Sequence, residues 1–205
     1  MIKAKYTDKS IVVDILTKSF DTNKSVNFVI PQDEKRVARI SELMAYSFEM
    51  CFAFGVVFLS PDKKACALIL FPDKKRTTIK TILWDLKLIL NGIGITNIGK
   101  VMNRESKIKK IHPKELMYYG WFGGVDPKYQ NNGVFTKLLN GLIQDSILKK
   151  RSFFLETSTL QNLPFYKKYG FQIYQELDLG YKLYFMKREP VPTLNHTQVA
   201  LAHAD

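Results

Sequence analysis

The residues best suited to chemistry fall in two clusters. The first is the loop Gly123-Gly124-Val125-Asp126-Pro127-Lys128-Tyr129-Gln130-Asn131-Asn132-Gly133-Val134-Phe135-Thr136. It joins a strongly apolar strand pattern to a helical one. A loop of this kind leaves free backbone N–H groups at a helix start, and such groups hold phosphate. It is not a P-loop, because no Gly-Lys-Ser/Thr ends it, and it lacks the Gly-x-Gly-x-x-Gly of dinucleotide sites. What remains is Gln130-x-x-Gly133. Gly133 permits close backbone approach or a positive φ. Asn131 and Asn132 tolerate turn geometry and cap helices. A strand–turn–helix link also uses these residues for purely structural reasons, so the loop alone names no anion.

The second cluster is Asn162-Leu163-Pro164-Phe165-Tyr166-Lys167-Lys168-Tyr169-Gly170-Phe171. Asn162 can cap a short helix, and Tyr166, four residues on, lies near the same face. Taken alone, this reads equally well as a capping Asn and a core Tyr. Between the two clusters sits Glu156, late in an apolar strand pattern.

The elements that position these clusters follow from apolar spacing. Helices are expected over Lys9–Phe20 and Asp33–Ala53. The runs Gly55–Leu59 and Ala65–Phe71 flank Ser60-Pro61-Asp62-Lys63-Lys64, which predicts a β-hairpin. Ile79, Ile82, Leu83, Leu86, Ile89, Leu90 and Ile93 predict a helix stopped by Asn91-Gly92, and a weaker helix spans Ile98–Ile108. The C-terminal half alternates: strand 116–125, helix 133–150, strand 152–157, helix 162–169, then strands 171–177 and 181–187. The strand–helix–strand unit implies local parallel pairing, and the last two strands an antiparallel hairpin.

The chain has 205 residues, 46% of them hydrophobic, enough for a sizeable core. No window of about 18 unbroken apolar residues is present, and the N-terminus lacks the apolar stretch of a signal peptide. Cys51 and Cys66 form no metal or redox motif and read as buried free thiols; a reducing cytoplasm fits. No metal site is expected. The net charge is +12, and the segment 72–114, with 11 basic and 3 acidic residues, supplies +8 of it. A basic patch attracts nucleic acid, an acidic membrane surface or an anionic cofactor, and it reads equally as a solvated lysine-rich surface. Nucleic acid is not favoured, because aromatic and basic residues do not interleave on a strand pattern. The amphipathic pair of helices reads first as a lid or as packing on the core, with a membrane surface as the lesser alternative.

The two clusters occur in order, separated by one helix and one strand. Val125-Asp126-Pro127-Lys128-Tyr129-Gln130-Asn131-Asn132-Gly133, Leu138-Leu139 and Asn162…Phe165-Tyr166…Tyr169-Gly170-Phe171 together resemble the GNAT superfamily of acyl-CoA-dependent N-acetyltransferases. The clear match covers residues 115–187. The resemblance implies an α+β, three-layer fold with a mixed, mostly antiparallel sheet, splayed beside strand 116–125, and helices on both faces. It implies one acyltransferase domain over 1–188, with the basic helical segment 72–114 as an insertion and 189–205 as a C-terminal arm.

The resemblance further implies that acetyl-CoA lies in the splay. Its pyrophosphate would sit on the backbone of Gln130, Asn131, Asn132, Gly133, Val134, Phe135 and Thr136. Its pantetheine arm would run along Phe122, Gly123, Gly124 and Val125, and Asn162 would hydrogen-bond that arm. The reaction implied is direct transfer of an acetyl group to a small-molecule or peptide amine. Tyr166 matches the position of the acid that protonates the departing thiolate, and a backbone N–H of the splayed strand that of the oxyanion donor. Glu156 is the first candidate for the base, with Tyr118, Tyr119 and His112 as others. Beside its proline in a polar connection, His112 reads by default as solvated. Tyr118, Tyr119 and Trp121 are candidates to line an acceptor pocket, although strand aromatics are commonly core. One position departs from the Gln/Arg-x-x-Gly-x-Gly/Ala pattern: its last place is Phe135. A ring turned into the helix core leaves the loop open for an enzyme, whereas a ring lying across the loop makes a non-catalytic or altered CoA- or anion-binding protein of the same fold. A homodimer is left open.

Overall fold

The computed structural model describes residues 1–191. Its strands and helices follow the apolar patterning closely. Asp8 ends a short 3-10 turn and α1 (Lys9–Ser19) follows, with Val12, Ile15 and Leu16 buried. A short α2 (Lys24–Val29) is capped by the Asn23 side chain, which accepts from the Val26 amide. Then come α3 (Arg36–Phe54), β2 (Gly55–Leu59) and β3 (Ala65–Leu70), with β1 (Ile2–Lys3) added at the N-terminus. All six residues of β3 are buried, because helices cover both of its faces.

Between β3 and β4, the basic segment forms α4 (Ile79–Leu88) and α5 (Ile98–Ile111). The expected stop at Asn91-Gly92 is corrected. The chain continues through them as a π-helical turn, Ile89–Ile93, and reverses at Gly94, whose φ is 78°. Gly92 is buried, 2.8 Å from Leu88 for any added Cβ, so it serves helix packing while Gly94 supplies the left-handed turn.

The remaining elements are β4 (Met117–Val125), α6 (Val134–Leu148), β5 (Ser152–Thr157), α7 (Asn162–Lys168), β6 (Gln172–Asp178) and β7 (Lys182–Arg188). The seven strands form one sheet in the order β1-β2-β3-β4-β5-β7-β6, antiparallel throughout except between β4 and β5. The β4–α6–β5 crossover accounts for that parallel pair. The apolar core divides by sheet face. One cluster joins α1, α2 and α3 to Leu68, Met117, Tyr119 and Phe154; the other joins α6 to Ala67, Tyr118, Phe153 and Leu155. This is a three-layer α+β fold with a mostly antiparallel sheet. Of the arm expected over 189–205, residues 192–205 lie outside the described residues.

Cys51 and Cys66 are buried free thiols, and burial pushes both well above the ordinary range. A bidentate ion pair between Asp73 and Arg151, 2.5 and 2.9 Å, ties the start of the basic segment to the turn before β5.

Candidate active site

The sheet opens between β4 and β5. The two strands pair from Met117–Ser152 to Gly120–Leu155 and no further. Beyond that point β5 continues with Glu156 and Thr157 against β7, while β4 continues along β3 alone. The backbone of Trp121 to Val125 therefore lies beside the gap without a second strand partner, with the Val125 carbonyl taking the Ser19 hydroxyl at 2.7 Å. A β-bulge marks the divergence: Leu68 pairs with Phe122 and Ile69 with Gly120, leaving Trp121 without a partner. The extra residue puts Trp121 and Phe122 on the same face, where both pack against the α1–α3 core. Trp121 meets the Tyr46 ring at 6.1 Å, and Phe122 meets Phe20 at 5.1 Å.

A cleft of about 820 Å³ runs through this gap. At one end lies the start of α6. Gly133 caps it with φ 69° and Asn131 has φ 63°, so both take the left-handed conformation. The helix cap is thus Gly133, and neither Asn131 nor Asn132 caps α6 with its side chain. Gln130 reaches back to the Val125 carbonyl at 3.4 Å. Among the described residues, no protein acceptor takes the amide N–H groups of Asn131 through Thr136; Lys137 is the first to bond, to Gly133 O at 3.2 Å. A Cβ at Gly133 would find no atom within 4 Å. The loop is an open row of donors at the positive end of a 15-residue helix.

Phe135 does not lie across that row. Its ring turns onto the sheet, where a Cβ at Gly123 would stand 3.0 Å from its Cε2, and it packs at 6.1 Å from Phe165. Strand side chains project perpendicular to the sheet, whereas the edge N–H and C=O groups lie in its plane. The ring therefore covers one face of the gap and leaves the edge of β4 free. Gly124, next along, approaches Ser19 and Leu16 of α1 on the other face.

The middle of the cleft carries a polar cluster. Glu156 Oε1 is 2.5 Å from His112 Nε2, and the Tyr119 hydroxyl donates to Glu156 Oε2 at 2.8 Å. The His112 and Tyr119 rings meet edge to face at 5.1 Å. The His112 and Glu156 side chains are 19% and 12% exposed, so the pair is largely shielded. The reading of His112 as a solvated residue is thereby corrected: it ends α5, and that helix brings it over β5. Burial first, and then the Glu156 carboxylate, push the Tyr119 phenol well above its ordinary range.

Tyr166 and Asn162 line the same cleft from α7. The Tyr166 ring packs against Phe165 and Phe171 at 5.5 and 5.6 Å, and burial pushes its phenol up to about 12. Its hydroxyl makes no hydrogen bond among the described residues. Asn162 does not cap α7, contrary to the expectation from its position. The cap is Gln161, and Asn162 is the first helical residue, exposed and with its amide side chain uncommitted.

One sequence expectation fails outright. Tyr118 does not line an acceptor pocket. It is fully buried on the α6 face, where its hydroxyl donates to Asp145 at 2.9 Å. Tyr118 and Tyr119 are adjacent in a strand, so they point to opposite faces; only Tyr119 looks into the cleft. That also removes Tyr118 as a base. The sequence reading missed Ser158, a buried hydroxyl in the cleft wall without a hydrogen-bond partner among the described residues, and Arg104, which donates to Tyr181 and Ser25 beside the cluster. Neither carries a local motif. It also missed the link of Tyr46 to Asp85, 2.7 Å, which joins α3 to α4 at the far end of the cleft.

No family model matches the chain. Its fold is that of solved acetyltransferases. It is similar to the histone acetyltransferase HPA2 and related acetyltransferase from Corynebacterium glutamicum, with 18% identity over 94% of this chain and 97% of that one and a TM-score of 0.65. It is also similar to arylalkylamine N-acetyltransferase 2 from Aedes aegypti, with 15% identity, 93% and 98% coverage and a TM-score of 0.59. An acetyltransferase of the GNAT family from Desulfovibrio desulfuricans aligns at 13% identity over 93% and 98%, with a TM-score of 0.51. The chain has the GNAT fold.

Proposed function

We propose that the protein is an N-acetyltransferase that moves an acetyl group from acetyl-CoA to an amine within a ternary complex. The observation that carries this reading is the convergence on one cleft of three features: the unpaired edge of β4, the open amides of Asn131–Thr136, and Glu156 bridged to His112 and Tyr119.

The residues fit the cofactor. The amides from Asn131 to Thr136 would hold its pyrophosphate, with the α6 dipole favouring negative charge. The edge from Phe122 to Val125 would pair with the amide-bearing pantetheine arm as an added strand, and Asn162 would reach the same arm. When bound, acetyl-CoA supplies a thioester carbonyl for the amine to attack and a sulfur that departs.

The chain's own groups supply the rest. The cleft walls hold the amine next to the splay and so turn an encounter into a local reaction. Glu156 accepts a proton from the amine, and His112 and Tyr119 fix the orientation of its two oxygens. A backbone N–H of the β4 edge donates to the developing oxyanion. Tyr166, protonated across the neutral range because burial raises its phenol, donates to the departing sulfur. The acceptor end of the cleft is walled by Val26, Leu43, Leu88, Ile93, Val101 and Trp121. Such walls suit a small amine with an apolar body, its nitrogen directed at Glu156.

The test is direct. Acetyl-CoA should raise the melting temperature, and a panel of amines scored by release of free CoA thiol should find acceptors among apolar ones. No thermal shift at millimolar acetyl-CoA would count against the cofactor. A shift without thiol release from any amine would leave a CoA-binding protein instead.

A further inference from the structure

Of the basic segment, the chemistry proposed above uses His112 and the inner residues that wall the cleft; the outer face of α4 is left unused. On α4 and the turn after it, Ile79, Ile82, Leu83, Leu86 and Leu90 are 79%, 54%, 57%, 50% and 53% exposed. Their spacing of three and four residues puts them in one stripe. The opposite side of the helix carries Thr81 and Leu88, which are buried. The stripe is therefore the unpartnered face of a helix already anchored by its other face. A soluble surface seldom leaves so many large aliphatic side chains together.

The charge around it is predominantly positive. Lys74, Lys75, Arg76 and Lys80 are exposed at the N-terminal end of α4. Lys75 and Lys80 form no ion pair among the described residues. Lys87 lies farther along and pairs with Glu42 of α3. Asp73 is paired with Arg151 and Glu105 with Arg104, while Asp85 keeps its charge and accepts from the Tyr46 hydroxyl; one acid is set against Lys74, Lys75, Arg76 and Lys80. Net positive charge therefore remains at the rim of the stripe. A second copy of this chain would bring the same lysines against these, which like-charge repulsion opposes. An anionic lipid headgroup layer complements both the lysines and the aliphatic stripe. With 10 residues, α4 is far too short to span a bilayer, and no helix among the described residues is long and apolar enough to do so.

We propose that α4 docks flat on an anionic phospholipid surface, with Ile79, Ile82, Leu83, Leu86 and Leu90 entering the interface and Lys74, Lys75, Arg76 and Lys80 meeting the headgroups. Leu88 and Asp85 of the same helix line the cleft, so docking places the cleft close to the membrane plane. The inference does not depend on acetyl transfer.

The full chain is sedimented with phosphatidylcholine vesicles, with and without phosphatidylglycerol. It should bind the anionic vesicles, and added salt should release much of it. The double variant Ile82→Glu with Leu86→Glu should lose about tenfold or more in partitioning, and Lys75→Glu with Lys80→Glu should lose a similar factor. All four sites are exposed, and unchanged circular dichroism and melting temperature verify the fold of each variant. Absence of binding to anionic vesicles overturns the proposal, as does binding that the Ile82 and Leu86 changes leave intact. A dimer in gel filtration that the same changes dissociate, with no vesicle binding, makes the stripe a self-interface and also overturns it.

Discussion

The Phe135 ring lies against Gly123, with 3.0 Å left for any Cβ there. This pairing absorbs the position at which the loop departs from the pattern it resembles. A large side chain follows Gly133 by two residues, and the strand residue opposite has no side chain. Phe135→Ala should therefore leave CoA affinity within about threefold, because the amide that would meet phosphate stays in place. It should cost about 1–2 kcal/mol of stability, since the ring is only half-buried. Calorimetric titration with CoA and chemical denaturation measure the two effects. A tenfold gain in CoA affinity would mean that the ring obstructs the site.

Glu156 is held on both oxygens, by His112 at 2.5 Å and Tyr119 at 2.8 Å. A base oriented in this way contributes about 10²–10⁴-fold to rate. Glu156→Gln should lower kcat by that order and change KM for acetyl-CoA little, because the cofactor contacts proposed above lie on β4, the start of α6 and α7. Tyr119→Phe should cost less, as His112 still positions one oxygen. Steady-state kinetics with an acceptor from the amine panel read both. A Glu156→Gln enzyme of undiminished kcat would remove this carboxylate from the chemistry.

Tyr166 contributes a hydroxyl with no hydrogen-bond partner among the described residues, set in a wall of aromatic rings. Its packing is carried by the ring, so Tyr166→Phe keeps the fold and removes only the donor. Turnover should fall by more than tenfold while CoA affinity holds, an effect made in the transition state rather than in binding. Because the phenol sits at about 12, no decline of rate between pH 7 and 9 should be traceable to it. Equal turnover in the variant would exclude it as the acid.

The sequence showed the C-terminal half most clearly, because β4 and α6 carry long apolar patterns, Gly133 marks the start of α6, and Gly170 follows α7. It did not show β1 or α2, whose two and six residues are too short for periodicity to register. The Asn23 cap was the only local sign of α2. Glu156 was legible as a carboxylate in an apolar strand, but its partners were not. Tyr119 reaches it through the parallel register of β4 and β5, and His112 reaches it because α5 ends above the sheet. Those are tertiary facts with no local pattern. The difference between Tyr118 and Tyr119 was in principle readable from strand alternation. Which face held the cleft was not.

Buried phenols govern how the fold should fail in alkali. Burial, the largest cause in each case, raises Tyr46, Tyr118, Tyr119, Tyr166 and Tyr174 above their unfolded value. A group whose pKa is higher when folded holds its proton more tightly in the native state. Its stabilising contribution is complete below the unfolded pKa, about 10, and is lost as pH rises through the folded value. Stability should therefore begin to decline above about pH 8.5, where the buried Cys51 and Cys66 thiols lose protons on unfolding, and fall more steeply above about pH 10, by about 1.4 kcal/mol per pH unit for each thiol or phenol deprotonated on unfolding. Tyr118 isolates one such group, because it is fully buried with Asp145 as its only hydrogen-bond partner among the described residues. Tyr118→Phe should cost about 1 kcal/mol at neutral pH through the lost hydrogen bond. Above pH 10 its stability should decline with a shallower slope, by one proton, so the two curves converge. Urea unfolding at pH 8 to 11 measures both slopes, and parallel curves would show that the Tyr118 phenol is not held protonated by the fold.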